Sequence, residues 1–229
     1  MLDALGKAIV TGRYDSSRFP TEAEISQAYG VSRSVTREAV KMLTAKGLVA
    51  ARPRQGTVVQ PTSLWNLFDT DVLRWLLDRK FSIELLRQFS ELRIAIEPEA
   101  ASLAAGYHQQ QEMADIQAGL ARMVAAEQGG DDALEADIAF HVAILRASRN
   151  PFYGQFEAMV STALRTSIRF TNRIKGRSAS IDDHAAVAAA IARRDAVDAR
   201  NAMRRLIGDV LVLIRESSVP AADGVSNSL

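Results

Sequence analysis

FPTEAEISQAYGVSRSVTREAVKMLTAKGLVAARPRQGTVV, residues 19–59, is the stretch on which the fold turns. Thr21 followed by Glu24 has the spacing of a capping box, in which each side chain accepts the other residue's free backbone N–H at a helix start. Ile25 and Ala28 give that helix its apolar face, and Tyr29-Gly30 closes it. Ser32 is a fresh N-cap, and Val35, Ala39, Val40, Met42 and Leu43 form a helical stripe that stops at Gly47. Two helices joined across a glycine-containing turn predict a helix-turn-helix. Beyond it, Leu48-Val49-Ala50 and Thr57-Val58-Val59 are short β-favouring runs on either side of Arg52-Pro53-Arg54-Gln55-Gly56, the pattern of a hairpin wing.

Upstream, Leu2, Leu5, Ile9 and Val10 recur at helical spacing as far as Gly12. Downstream the composition changes at Pro61, and every persistent pattern from Leu64 onward is helical. The expected fold class is therefore mainly α, an N-terminal winged helix-turn-helix followed by an all-helical bundle. The expected division is a DNA-binding domain over residues 1–62, a linker over 63–68, a helical effector-binding and dimerisation domain over 69–216, and a flexible tail over 217–229. Helices are predicted at 69–78, 83–105, 111–128, 133–148, 151–174, 181–193 and 195–215.

Hydrophobic residues make up 48% of the 229, enough for two packed cores, and there is no cysteine, which removes disulfides, thiolate metal sites and cysteine nucleophiles. No apolar run approaches the ~20 residues of a membrane span, and no signal pattern opens the chain, so a cytoplasmic protein is expected. The net charge of +1 conceals an asymmetry, because residues 1–62 hold nine Lys/Arg against five Asp/Glu. A basic head on an acidic body fits a nucleic-acid binder.

In a helix-turn-helix the start of the second helix meets the base edges. That position belongs to Arg33, Ser34, Thr36 and Arg37, with both guanidiniums able to bond guanine O6 and N7 in pairs. Arg52, Arg54 and Gln55 project from the wing, and Gly56 allows its tight turn. Either arginine of the helix taken alone reads better as a solvated face; turn, helix and basic wing in this order favour double-stranded DNA as the partner.

The second domain carries two further clusters. Asp137 and His141 lie four apart in LEADIAFHVAI and so share a helix face, as half of a metal site requires, with His184 of SIDDHAAVAAAI available as a third ligand. The same pair would also serve as a simple ion pair. Arg93 sits in an apolar stretch, and Arg165, Arg169 and Arg173 recur every four residues. A buried Arg93 needs an anion, either an acidic effector or, internally, Glu91 or Glu97. Arg93, Arg165 and Arg169 are thus the candidate effector residues. A metal-dependent enzyme is the competing reading of the cluster, but a metal site joined to a DNA-binding head favours a sensor over an enzyme.

The quoted stretch resembles the DNA-binding domain of the GntR family of bacterial regulators, with Ala23 standing where many members carry a DNA-contacting Arg. The Glu-Leu-Arg segment, Glu97-Pro98, the Asp137-to-His141 spacing, Asn150-Pro151 and DDHAAVAAAIARRDAVDARNAMRR resemble the helical ligand-binding (FCD) domain of its FadR subfamily. That resemblance implies a homodimeric transcriptional regulator, a divalent metal such as zinc held by one Asp and three His, and a small carboxylate effector. Asp137, His141 and His184 match three ligand positions, while the fourth is Leu206. Residues 64–77, LWNLFDTDVLRWLL, resemble a segment of a family member that represses a sugar-acid operon, which implies a sugar-acid effector and repression; a fatty-acyl-responsive activator is the alternative within the subfamily.

Overall fold

The computed structural model describes residues 1–79, 82–174 and 180–218. The chain divides into two compact units, Met1–Phe81 and Ser82–Leu229. The first contains α1 (Leu2–Val10), α2 (Glu22–Tyr29), α3 (Arg33–Ala45), the antiparallel strands β1 (Val49–Arg52) and β2 (Gly56–Val59), a 3-10 turn at Thr62–Leu64, and α4 (Thr70–Leu76). The strands pair Val49 with Val59 through Arg52 with Gly56, leaving a three-residue wing tip.

Local signals act as their chemistry requires. Thr21 Oγ1 accepts from Glu24 N at 3.3 Å, and the Glu24 carboxylate accepts from Thr21 N at 2.7 Å, closing the capping box. Gly30 ends α2 at φ +63°, a left-handed conformation that costs a side-chain-bearing residue energy. Ser32 Oγ caps α3 by accepting from Val35 N at 3.3 Å. Leu5, Ile9, Ile25, Ala39, Leu43 and Leu48 form the core beneath these helices.

The expected domain boundary changes. Residues 63–68 are not a free linker, and α4 is not the first helix of the second domain, because α4 packs against α1 within the first unit. Trp75 is buried on Gly6, where a Cβ would fall 2.2 Å from its ring, and its indole N–H donates to Asp3 at 2.7 Å. Lys46 meets Asp69 and Asp71, each at 2.8 Å. An indole and a buried ammonium need partners, and both partners lie across the expected boundary.

The second unit comprises α5 (Ile83–Tyr107), α6 (Gln110–Glu127), α7 (Ala133–Ala147), α8 (Pro151–Gly154), α9 (Glu157–Ile174), α10 (Ile181–Ala192) and α11 (Ala196–Ser218). α5 packs against α7, α9, α10 and α11. Its Ala100, Ala101, Ala104 and Ala105 are fully buried and let α11 approach closely. The expected helix over 151–174 is two helices, separated by a turn at 155–156. Of the expected flexible tail, residues 217–218 continue α11, and 219–229 lie outside the described residues. No helix among the described residues is long and apolar enough to cross a membrane.

Candidate functional site

In the first unit, Arg33, Ser34 and Arg37 are exposed along the first turns of α3. Arg37 lies 3.6 Å from Glu22, a surface pair weak enough to leave the guanidinium available. Arg54 and Gln55 at the wing tip and the flanking Arg52 and Gly56 are all exposed, with Arg54 at φ +63° and Gly56 at φ +78°. Thr36, expected at the DNA surface, is instead fully buried, and its hydroxyl donates to Ser32 O at 3.2 Å. With Ala39 and Leu43 it forms the inward face of α3, a spacing of three and four residues that already distinguishes it from its neighbours. It therefore has no surface to offer to DNA.

In the second unit, Asp137, His141 and His184 come together although 43 residues separate the two histidines. One ligand atom from each lies within 4.8 Å of the others, and all three residues are buried. His184 Nε2 is 3.0 Å and His141 Nε2 is 3.5 Å from Asp137 Oδ1. The opposite ring nitrogens are already engaged. His184 Nδ1 donates to the Ser180 carbonyl at 2.6 Å, a bond set by Ser180 as the N-cap of α10. His141 Nδ1 faces the Glu97 carboxylate in a short contact. Both rings thus present Nε2 to the same carboxylate, and the Phe140 ring lies edge-on to each, with centroids 5.7 Å from His141 and 5.0 Å from His184.

The charges are tightly coupled. Burial opposes an imidazolium at His141, but the Glu97 carboxylate and hydrogen bonds with Asp137 and Glu97 outweigh it and push its pKa up to about 9. Burial likewise opposes ionised Glu97, yet the charges of Arg93 and His141 draw its pKa down to about 2. Asp137, also penalised by burial, is held well below the ordinary carboxylate range by its hydrogen bonds to both histidines. Two buried carboxylates face one guanidinium here, and the remaining negative charge must be met by a proton on the histidines or by a cation.

Arg93 is 3% exposed and gives Nε to Glu97 at 2.6 Å, while its Nη2 rests 3.4 Å from His141 Nε2. Of its two possible internal partners, Arg93 meets Glu97; Glu91 binds Arg87. The link from Glu97 to His141 escaped the sequence reading. Its only trace there is the four-residue spacing from Arg93, which says nothing of a histidine 44 residues away. Arg165 pairs with Glu135 on α7, with Nη2 to Oε2 at 3.1 Å, and the Arg169 side chain lies outside the described residues. Leu206 is half-buried on α11, and among the described residues no other group of three His, Cys, Asp or Glu has metal-site spacing.

Two family models match the chain: "Bacterial regulatory proteins, gntR family" over residues 2–59, and "FCD domain" over residues 88–209. Similar proteins include the galactonate operon transcriptional repressor of Escherichia coli K12, 33% identical over 217 residues, covering 93% of this chain and 94% of the relative. The uncharacterised HTH-type transcriptional regulator YieP of the same organism is 33% identical over 210 residues, 90% of either chain. Among solved structures, Streptococcus agalactiae GntR covers 93% of this chain and all of its own at a TM-score of 0.53 and 20% identity, a likeness of fold.

Proposed function

The chain belongs to the GntR family of bacterial regulatory proteins with an FCD domain, and from that premise we propose that it is a cytoplasmic repressor of a sugar-acid catabolic operon, governed by a small carboxylate bound beside Asp137, His141 and His184. Family membership makes it a DNA-binding transcriptional regulator rather than an enzyme. The sugar acid is suggested by the relative that regulates galactonate genes.

The observation that carries the effector reading is the buried cluster itself. Asp137 Oδ1, His141 Nε2 and His184 Nε2 would hold a divalent ion such as zinc, with each histidine oriented by a hydrogen bond from its other nitrogen. Apolar Leu206 supplies no fourth ligand, so open positions remain. Such an ion supplies Lewis-acid positions for a carboxylate and a neighbouring hydroxyl. A divalent charge added to Glu97, Asp137 and Arg93 leaves the pocket with a net charge of about +1, which favours an anion over a neutral sugar. Arg93, Arg165 and Arg169 remain the cationic side chains proposed to support it.

His184→Ala should remove stoichiometric metal and weaken the carboxylate effector at least tenfold, while Leu206→His should raise metal affinity. Elemental analysis of protein purified without chelator or metal-affinity tag, followed by calorimetric titration of zinc, manganese and nickel, tests this. Effector binding that EDTA leaves unchanged would overturn the metal's part and leave Arg93 as the anion site.

Arg33, Ser34 and Arg37, with Arg52, Arg54, Gln55 and Gly56 of the wing, form the proposed operator surface. Arg33→Ala and Arg37→Ala should each cost ~1–3 kcal/mol of specific binding while changing non-specific binding far less. Salt-dependent binding measurements on operator and random duplexes check this, and an unchanged ratio between the two would remove the arginines from the recognition surface. Two heads in a two-fold homodimer would read a palindrome, so protection of two half-sites and a dimeric mass are expected.

A further inference from the structure

We propose that Val35 reads the 5-methyl group of a thymine in each operator half-site. The inference rests on the reading of α3 as the recognition helix and adds a sequence preference that the arginines cannot supply. Val35 lies in the first turn of α3, the part of such a helix that meets base edges, and it is 51% exposed. Its neighbours Arg33, Ser34 and Arg37 are exposed polar groups, whereas the next residue, Thr36, is turned fully into the core. About half of this apolar side chain stays in water among hydrogen-bonding ones, and that half is free to meet a partner.

The side chain is also held firmly. Val35 N donates to Ser32 Oγ at 3.3 Å, and Thr36 behind it bonds the Ser32 carbonyl through both its amide, at 3.1 Å, and its hydroxyl, at 3.2 Å. A β-branched residue in a helix keeps essentially one χ1 rotamer, so each of the two methyl groups keeps a fixed direction. The major groove offers such a group one apolar feature, the thymine 5-methyl, and no hydrogen-bond donor or acceptor of the bases would be satisfied by valine. Arg33 and Arg37 select guanine by hydrogen bonds; Val35 selects thymine by contact and exclusion of water.

The test uses the full-length protein and a duplex that it selects from a random library. Each thymine of the selected site is replaced in turn by uracil, which pairs identically but lacks the methyl. Uracil at one position per half-site should weaken binding about fourfold, the worth of one buried methyl, with other positions nearly silent. Val35→Ala, which changes both half-sites of the dimer at once, should weaken the all-thymine duplex about fourfold per half-site, roughly sixteenfold in all, and make that position indifferent to uracil, while Val35→Thr, which keeps one methyl, should lie between. Val35 is exposed, so the melting temperature of each variant should match the parent. Uracil silent at every position, or a uracil effect that persists unchanged in Val35→Ala, overturns the proposal while leaving operator binding intact. Failure to select any duplex would instead overturn the DNA-binding reading beneath it.

Discussion

Glu97→Ala should destabilise the second unit by ~3–5 kcal/mol, the cost of leaving a buried charge without its partner. Glu97 is 1% exposed and is shared between the Arg93 guanidinium and the His141 ring, so its removal strands both. Part of the loss should follow pH in chelator-treated protein. His141 has a folded pKa of about 9 against an ordinary 6.5, so its contribution is complete below pH 6.5 and fades as pH rises through 9. Glu97, at about 2 against 4.5, contributes fully above pH 4.5, and that share fades as pH falls through 2. Glu97→Gln, which preserves volume, should flatten both limbs. Urea unfolding of the variants across pH measures this, and a loss below about 1 kcal/mol for Glu97→Ala would mean that the pair is hydrated in solution.

Trp75→Ala should cost the first unit ~3–5 kcal/mol and abolish operator binding at growth temperature, although the residue lies outside the helix-turn-helix. The indole fills the space over Gly6, donates to Asp3 and lies beneath the Lys46 ammonium, which is 5.9 Å from its ring centroid. Without it, α4 loses its main hold on α1, and the carboxylates of Asp69 and Asp71 are less firmly placed for Lys46. Differential scanning calorimetry should show the first unit melting earlier while the second unit melts as before. Unaltered operator affinity and melting would show that α4 is dispensable to the DNA-reading unit.

Parts of the molecule whose causes are local can be read from residue order alone. A capping box at Thr21 and Glu24, an N-cap at Ser32 and stops at Gly30 and Gly47 act within one or two helical turns, so the helix-turn-helix and the exposed arginines of α3 were legible from their spacing. The Asp137-to-His141 spacing was legible for the same reason, since residues four apart in a helix share a face wherever the helix goes. Packing settled everything that depends on which surfaces meet. It seated α4 on α1 through Trp75 and set Glu97 behind His141. Each of these outcomes rests on burial, which makes an unpartnered charge or polar group costly and so selects its partner. Burial is a property of the packed chain and leaves no mark in the spacing of residues tens of positions apart.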